Sequence, residues 1–264
     1  MKCDGHIHSP YCPHGTSDSF KQYIEKAISS NFTDITFTEH APLPLNFTDP
    51  TPQQDSGMNP EFLMPYFEDL QYLQKEYAQD ISIHIGLEVD YIQGFEQETR
   101  QFLDTYGHFL DDSILSVHFL QWQNIFECID FSPESFMTFS KKVGSIEQVY
   151  NLYYDTVLQS ITADLGQYKP KRIGHPSLIH KFQLAHMVKI DDSARIREVL
   201  DLMKEEGYEL DVNSAGLSKT YCQEPYPPFS FINYSKSIGL PIVFGSDAHT
   251  VAALHQHYHV IYPK

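Results

Sequence analysis

The segment Lys2-Cys3-Asp4-Gly5-His6-Ile7-His8 decides the fold. A short run with apolar and small residues ends in two histidines separated by one residue. Alternate residues of a strand share a face, so His6 and His8 point into the same space. Six further runs repeat the plan: Asp34 to Thr38, Ile81 to Glu88, Ile114 to His118, Arg172 to His175, Tyr208 to Asn213 and Pro241 to Ser246. Helical patterns separate the runs. After Ser17 and Asp18, either of which is a candidate N-cap, come Phe20, Tyr23, Ile24, Ala27 and Ile28 at helical spacing. The stripes Leu63 to Leu73, Ile146 to Ile161 and Ile196 to Met203 behave alike, and Gly207 supplies a C-terminal stop. Seven strand–helix units in 264 residues predict a single domain, 1-264, built as an α/β barrel. A closed or nearly closed parallel barrel is favoured, and an open doubly wound sheet is the alternative. No GxGxxG turn follows a strand, so a dinucleotide site is not supported.

The predicted strands end on one kind of residue. His6 and His8 close the first, and His14 follows a short turn. His40 ends the second, Glu88 the third, His118 the fourth and His175 the fifth. Asp247 and His249 end the seventh. A lone histidine is ordinarily a satisfied core or surface residue. Seven histidines and two carboxylates at one end of a barrel point instead to a metal centre. Imidazole with a minority of carboxylate suits zinc, iron or manganese without choosing among them. Nine ligands exceed one tetrahedral site and imply two or three ions, with a carboxylate bridging. The other histidines lack this pattern. His84 lies mid-strand, while His108, His180 and His186 fall in helical or loop contexts. His255, His257 and His259 alternate near the C-terminus and read as surface residues. Cys12 is a weak candidate to line the site.

Composition narrows the function. The chain carries 18 Lys+Arg against 35 Asp+Glu, a formal charge of −17. Polyanions are repelled by such a chain, so nucleic acid and anionic membranes are poor partners. The 41% hydrophobic content supplies a large core. Four cysteines, Cys3, Cys12, Cys128 and Cys222, form no CxxC pair, which suits a reduced, cytoplasmic protein. The first residues form no apolar signal stretch, and no window approaches a membrane span. A GxSxG elbow and a Walker loop are both missing, against a serine hydrolase or an ATP-driven enzyme. Three segments exceed simple connectors: Ala41 to Pro65 with six prolines, the aromatic-rich Phe119 to Gly144, and Ser214 to Phe229. Each follows a strand's C-terminal end, where barrels carry their substrate loops.

The motifs Asp4-Gly5-His6-Ile7-His8, Thr38-Glu39-His40, Glu88, His118, His175 and Asp247-Ala248-His249 resemble the polymerase-and-histidinol-phosphatase (PHP) superfamily. Longer stretches resemble its histidinol-phosphatase branch: Tyr11-Cys12-Pro13-His14-Gly15, Phe37 to Pro44, Gly86 to Tyr91 and Leu110 to His118. The resemblance implies a distorted (β/α)7 barrel with three divalent ions at the C-terminal ends of its strands. Carried over by position, one ion takes His6, His8, Glu88 and Asp247, the residues expected to carry catalysis. A second shares Glu88 and takes His118 and His175, and a third takes His14, His40 and His249. The implied reaction is hydrolysis of a small phosphate monoester, L-histidinol phosphate, to L-histidinol and phosphate in histidine biosynthesis. A metal-bridging water, its pKa lowered from about 15.7 toward neutrality, would be the nucleophile. Family members tend to have arginine where this chain has Ser218, and Lys219 is the candidate replacement. Lysine offers a point charge and no planar fork, so the exchange is not conservative.

The amine and imidazole of such a substrate want acidic and aromatic neighbours. Asp18 and Glu39 are the acidic candidates, each with a bland alternative as helix N-cap or surface acid. Phe119 and Trp122 are candidates to flank the imidazole or else belong to a loop core. Asn213 ends the one strand that supplies no ligand, and it either touches substrate or caps the following turn. The alternatives in function are a PHP-type phosphoesterase for another small monoester or nucleotide, and a non-catalytic metal-binding module.

Overall fold

A computed structural model describes residues 2–263. The chain runs β1 (Cys3–Ile7), α1 (Phe20–Ser29), β2 (Asp34–His40), α2 (Leu63–Glu76), β3 (Ser82–Asp90), α3 (Glu96–Tyr106) and β4 (Ile114–Ser116). A hairpin of β5 (Phe119–Trp122) and β6 (Ile125–Cys128) follows, then α4 (Pro133–Val143), α5 (Ile146–Thr162) and β7 (Arg172–Ile173). The last part holds α6 (Gln183–His186), α7 (Ser193–Glu205), β8 (Glu209–Asn213), α8 (Phe229–Ser237), β9 (Ile242–Gly245) and α9 (Tyr258–Ile261). One seven-stranded parallel sheet takes the order β1-β2-β3-β4-β7-β8-β9. Apolar residues such as Ile35, Phe37, Ile83, Ile85 and Leu87 alternate along these strands with small or polar ones such as Thr36, Thr38, Gly86 and Glu88, and both sets are buried.

The sheet closes only at its C-terminal mouth. Past the end of β9, Asp247 donates its N–H to the His6 carbonyl (2.8 Å), and His8 donates to the Ala248 carbonyl (3.0 Å). Ile7 and Ala248 form an isolated parallel bridge. The result is a distorted, nearly closed seven-stranded barrel, as expected from the sequence. Register then sets the mouth. Along β2 and β3 the pairing runs from Asp34 opposite Ser82 to His40 opposite Glu88, so those two side chains emerge together. At the opposite end Arg172 is buried, reaching from β7 to Gly5 on β1 and pairing with Asp112. A side chain at Gly5 would collide with its guanidinium.

Three expectations are corrected. The N-cap of α1 is Ser19, which forms a capping box with Gln22; neither Ser17 nor Asp18 takes that place. Phe119 to Gly144, read from the sequence as an aromatic-rich loop segment, holds the hairpin and α4. His255 is no surface residue. It stacks on Phe32 at 3.4 Å, and its Nδ1 meets Asp4 Oδ2 at 2.8 Å, fastening the C-terminal segment to β1.

A small second core lies outside the barrel. Phe47 from the proline-rich loop meets Ile92, Phe119 and Cys128, with Phe95 and Phe126 packed against them. Phe119 is 1% exposed there. Truncating it leaves a cavity with few ways to collapse. Phe119→Ala is expected to lower unfolding stability by about 3–5 kcal/mol in urea titrations. A loss under about 1 kcal/mol would show that the loop core is not packed as described.

Candidate metal centre

Glu88 stands at the centre of the mouth, 1% exposed. Nitrogens of five histidines surround its carboxylate: His175 at 2.8 Å, His40 at 3.2 Å, His6 at 3.5 Å, His8 at 3.6 Å and His118 at 3.7 Å. Ser116 Oγ donates to it at 2.7 Å. Burial alone would push the Glu88 carboxyl up. The surrounding imidazoles, led by His6 and His118, hold it well below the usual carboxylate range. Asp247 sits beside it, its Oδ1 at 3.1 Å from His8 Nε2 and 3.7 Å from His6 Nε2. Burial opposes its charge too, and His6 and His8 again hold it low. Two of these residues occupy left-handed backbone, His175 at φ 26° and Asp247 at φ 51°. Such strain at non-glycine positions persists where surrounding structure fixes it, commonly at functional sites.

An outer set of carboxylates orients the rings. Asp211 Oδ2 takes His6 Nδ1 at 2.9 Å, Glu39 Oε1 takes His8 Nδ1 at 3.3 Å, and Asp90 Oδ1 takes His118 Nδ1 at 2.8 Å. In each pair one ring nitrogen is tied back and the other faces Glu88. This is how proteins fix the tautomer and angle of a metal-binding imidazole. Gly245 keeps the arrangement open, because a methyl group there would strike Asp211 and the His6 Cβ.

The donor set fits divalent ions. His6 Nε2, His8 Nε2 and both nitrogens of His40 are buried without an aligned hydrogen-bond partner, although carboxylate oxygens stand within 3.7 Å of His6 Nε2, His8 Nε2 and His40 Nδ1. Buried polar nitrogens are normally paired, and an ion is the partner that this geometry suits. Three groups have their ligand atoms within 4.8 Å of one another: His6, His8 and Asp247; Glu88, His118 and His175; and His8, Cys12, His40 and His249. His14 stands at the rim, its ring 5.0 Å from that of His40 and 5.1 Å from that of His249. All nine residues expected from the sequence therefore converge.

The expected substrate contacts fare differently. Glu39 is buried, taking His8, the Ser9 N–H at 2.8 Å and the His40 N–H at 2.9 Å, so it is a positioning residue and no substrate wall. Asp18 accepts the Val251 N–H at 2.8 Å and pins the turn after His249. Phe119 lies in the second core, and Trp122 packs against the main core from the hairpin. Neither lines the cavity. Asn213 is buried; it donates to Asp211 at 3.3 Å and to Asp247 at 3.2 Å, fastening Asp247, and its Oδ1 accepts the Ala215 N–H at 3.0 Å, capping the turn. Lys219 does line the cavity, an opening of about 770 Å³ that reaches Glu88, His118, His175 and Asp247.

Sequence reasoning missed Asp90, Asp211 and the far wall. Asp90 carried a signal, since it shares a strand face with Glu88 two residues before it. On the far wall Lys181 pairs with Asp130 at 2.8 Å, beside Tyr226, whose buried hydroxyl lacks a partner. Lys181 holds the Asp130 carboxyl low against the burial that would raise it. No local pattern joins two residues 51 positions apart.

Comparison with known proteins agrees with this geometry. The PHP domain family matches residues 4–215, and the chain belongs to that family. The histidinol-phosphatase of Bacillus subtilis (strain 168) is 48% identical over 251 residues, covering 94% of each chain, which places this chain in the histidinol-phosphatase branch. A Listeria monocytogenes crystal structure, of a candidate histidinol phosphatase, superposes with a TM-score of 0.92 at 40% identity, covering 98% of this chain and 99% of that one. The Lactococcus lactis histidinol phosphate phosphatase, solved with zinc, L-histidinol and phosphate, shares the fold. Its TM-score is 0.71 at 22% identity, covering 98% of this chain and 92% of that one.

Two outcomes follow. Asp211→Asn keeps the shape of the outer carboxylate and removes its charge, so zinc affinity should fall by roughly 10–100-fold. Competition with a chelator measures this, and unchanged affinity would deny Asp211 its positioning role. Burial disfavours a proton on His6, yet Asp211, Glu88 and Asp247 raise its pKa to about 10. Burial likewise opposes protonation of His118, and Asp90 and Glu88 raise it to about 10. At neutral pH an incoming ion must displace these protons, so zinc uptake should release acid and weaken as pH falls. Calorimetry in buffers of different ionisation enthalpy would reveal it, and no proton release would contradict it.

Proposed function

We propose that this chain hydrolyses L-histidinol phosphate to L-histidinol and phosphate. The carrying observation is the convergence of nine ligand-type side chains on one mouth in a chain 48% identical to a histidinol-phosphatase over 94% of its length. We read 1-264 as one domain and its ligand groups as seats for three divalent ions. His6, His8, Glu88 and Asp247 would hold the first, with Glu88 shared by the second through His118 and His175. The third would rest on His14, His40 and His249. Bound there, divalent ions supply the positive charge that offsets phosphoryl oxygens and acidify water for attack on phosphorus.

The chain's own residues do the rest. Glu88 bridges two ligand groups and fixes their spacing. Glu39, Asp90 and Asp211 hold three imidazoles at one angle, so little reorganisation accompanies reaction. Lys181 and Lys219 line the cavity and present ammonium groups to the phosphate, in place of an arginine fork. Asp130 keeps Lys181 extended into that space. Phe131 and Leu178 offer apolar surface to the imidazole. The substrate is a small molecule, and the chain's charge of −17 disfavours a polynucleotide in its place. Among the described residues no helix is long and apolar enough to cross a membrane. Four unpaired thiols suit the reducing cytoplasm.

Phosphate release should be measured from histidinol phosphate, nucleoside monophosphates and an aryl phosphate, with added zinc, manganese or iron. Histidinol phosphate is expected to be turned over selectively, and Glu88→Gln to lower kcat by at least roughly 100-fold in folded protein. Equal turnover of all monoesters would favour a general phosphoesterase, and none would refute the reading. Lys181→Met is expected to raise KM by roughly tenfold or more, the worth of one charge-assisted hydrogen bond. An unchanged KM would remove Lys181 from the phosphate site.

A further inference from the structure

The turn that leaves β1 folds a thiol into the metal centre. Cys12 donates its N–H to the Ser9 carbonyl at 3.0 Å, and Gly15 donates to the Cys12 carbonyl at 3.1 Å. The Ser9 N–H is in turn held by Glu39, the residue that orients His8. Cys12 is therefore locked in place and 8% exposed. Gly15 packs against it, and a Cβ there would lie 3.0 Å from the Cys12 Cβ. The Sγ and one ring nitrogen each of His8, His40 and His249 all lie within 4.8 Å of one another. His40 points independently to a ligand, being 8% exposed with neither nitrogen in an aligned hydrogen bond. The other buried thiols have ordinary surroundings: Cys128 donates to Asp130 and Cys222 to the Glu224 carbonyl.

We propose that Cys12 is a metal ligand, its thiolate joining His14, His40 and His249 around one ion. His8 is already engaged by Asp247 and the first ligand group, so His14, at the rim, completes the set. One sulfur and three imidazoles would make a four-ligand donor set of the kind that suits zinc. The soft thiolate also sets this position against manganese, which favours carboxylate and water. On binding, the thiol gives up its proton and the sulfur–metal bond forms, with no change in oxidation state. The inference rests on the mouth being a metal centre and is independent of the substrate proposed above.

Cobalt(II) reports directly on sulfur ligation. Chelator-stripped full-length protein titrated with cobalt should develop a thiolate-to-cobalt charge-transfer band in the near ultraviolet. Cys12→Ser should abolish the band, while Cys3→Ser, Cys128→Ser and Cys222→Ser keep it. Cys12→Ser should also lose roughly 10–100-fold in affinity for one zinc equivalent, with manganese affinity nearly unchanged. If the variant fails to fold, wild-type protein supplies a second test: zinc should protect Cys12 from alkylation, as mapped by mass spectrometry. Cobalt binding without the band, a band surviving in Cys12→Ser, or unprotected Cys12 would each overturn the assignment while leaving the metal centre standing. No cobalt binding at all would overturn both.

Discussion

A single carboxylate, Glu88, buried among five imidazoles, organises the mouth of this barrel. A buried charge is costly unless it is paired, and here four strand ends supply the pairing. That requirement explains features that otherwise look unrelated. The His40–Glu88 register brings two ligand-type side chains out together. His175 and Asp247, both on left-handed backbone, place their side chains at the same centre. The seam between β1 and the residues after β9 closes next to His6, His8 and Asp247, where closure determines their spacing.

Around that centre the chain places charge by distance. Glu39, Asp90 and Asp211 stand behind the histidines they orient, and Asn213 ties Asp211 to Asp247. Each divalent ion bound at the mouth adds positive charge inside an acidic shell. The net charge of −17 counts carboxylates buried around the mouth, Glu39, Glu88, Asp90 and Asp211 among them, together with those at the surface, and by itself says little about the field a small phosphate meets at an ion-loaded mouth.

The sequence was most legible where chemistry repeats with the strand period. His6 and His8, or Glu88 at the end of an apolar run, announce both a strand and its purpose. The barrel and the ligand-type positions at its strand ends could be read in this way, while His14, past a turn, follows from its nearness to His8 in the chain. Contacts made across the fold were not legible. Asp211 serves His6 from 205 residues away, and Lys181 finds Asp130 only after the chain has closed. Glu39, beside His40, suggested a substrate wall, and burial makes it a support for His8; Asn213, at the end of the strand without a ligand-type residue, takes the second of its two readings and caps the following turn, its Oδ1 accepting the Ala215 N–H at 3.0 Å. Phe119 follows His118 directly, yet the β5–β6 hairpin turns it into a separate aromatic core. Sequence proximity to a site does not predict which way a side chain faces once a hairpin intervenes.

Everything above turns on this mouth binding metal ions through Glu88 and the histidines around it. Anomalous X-ray scattering at the zinc edge, from crystals of zinc-loaded protein, tests it most directly. Strong peaks are expected within coordination distance of the Glu88 carboxylate, between His6 and Asp247 on one side and His118 and His175 on the other. Peaks confined to surface histidines such as His259, with none at Glu88, would contradict it.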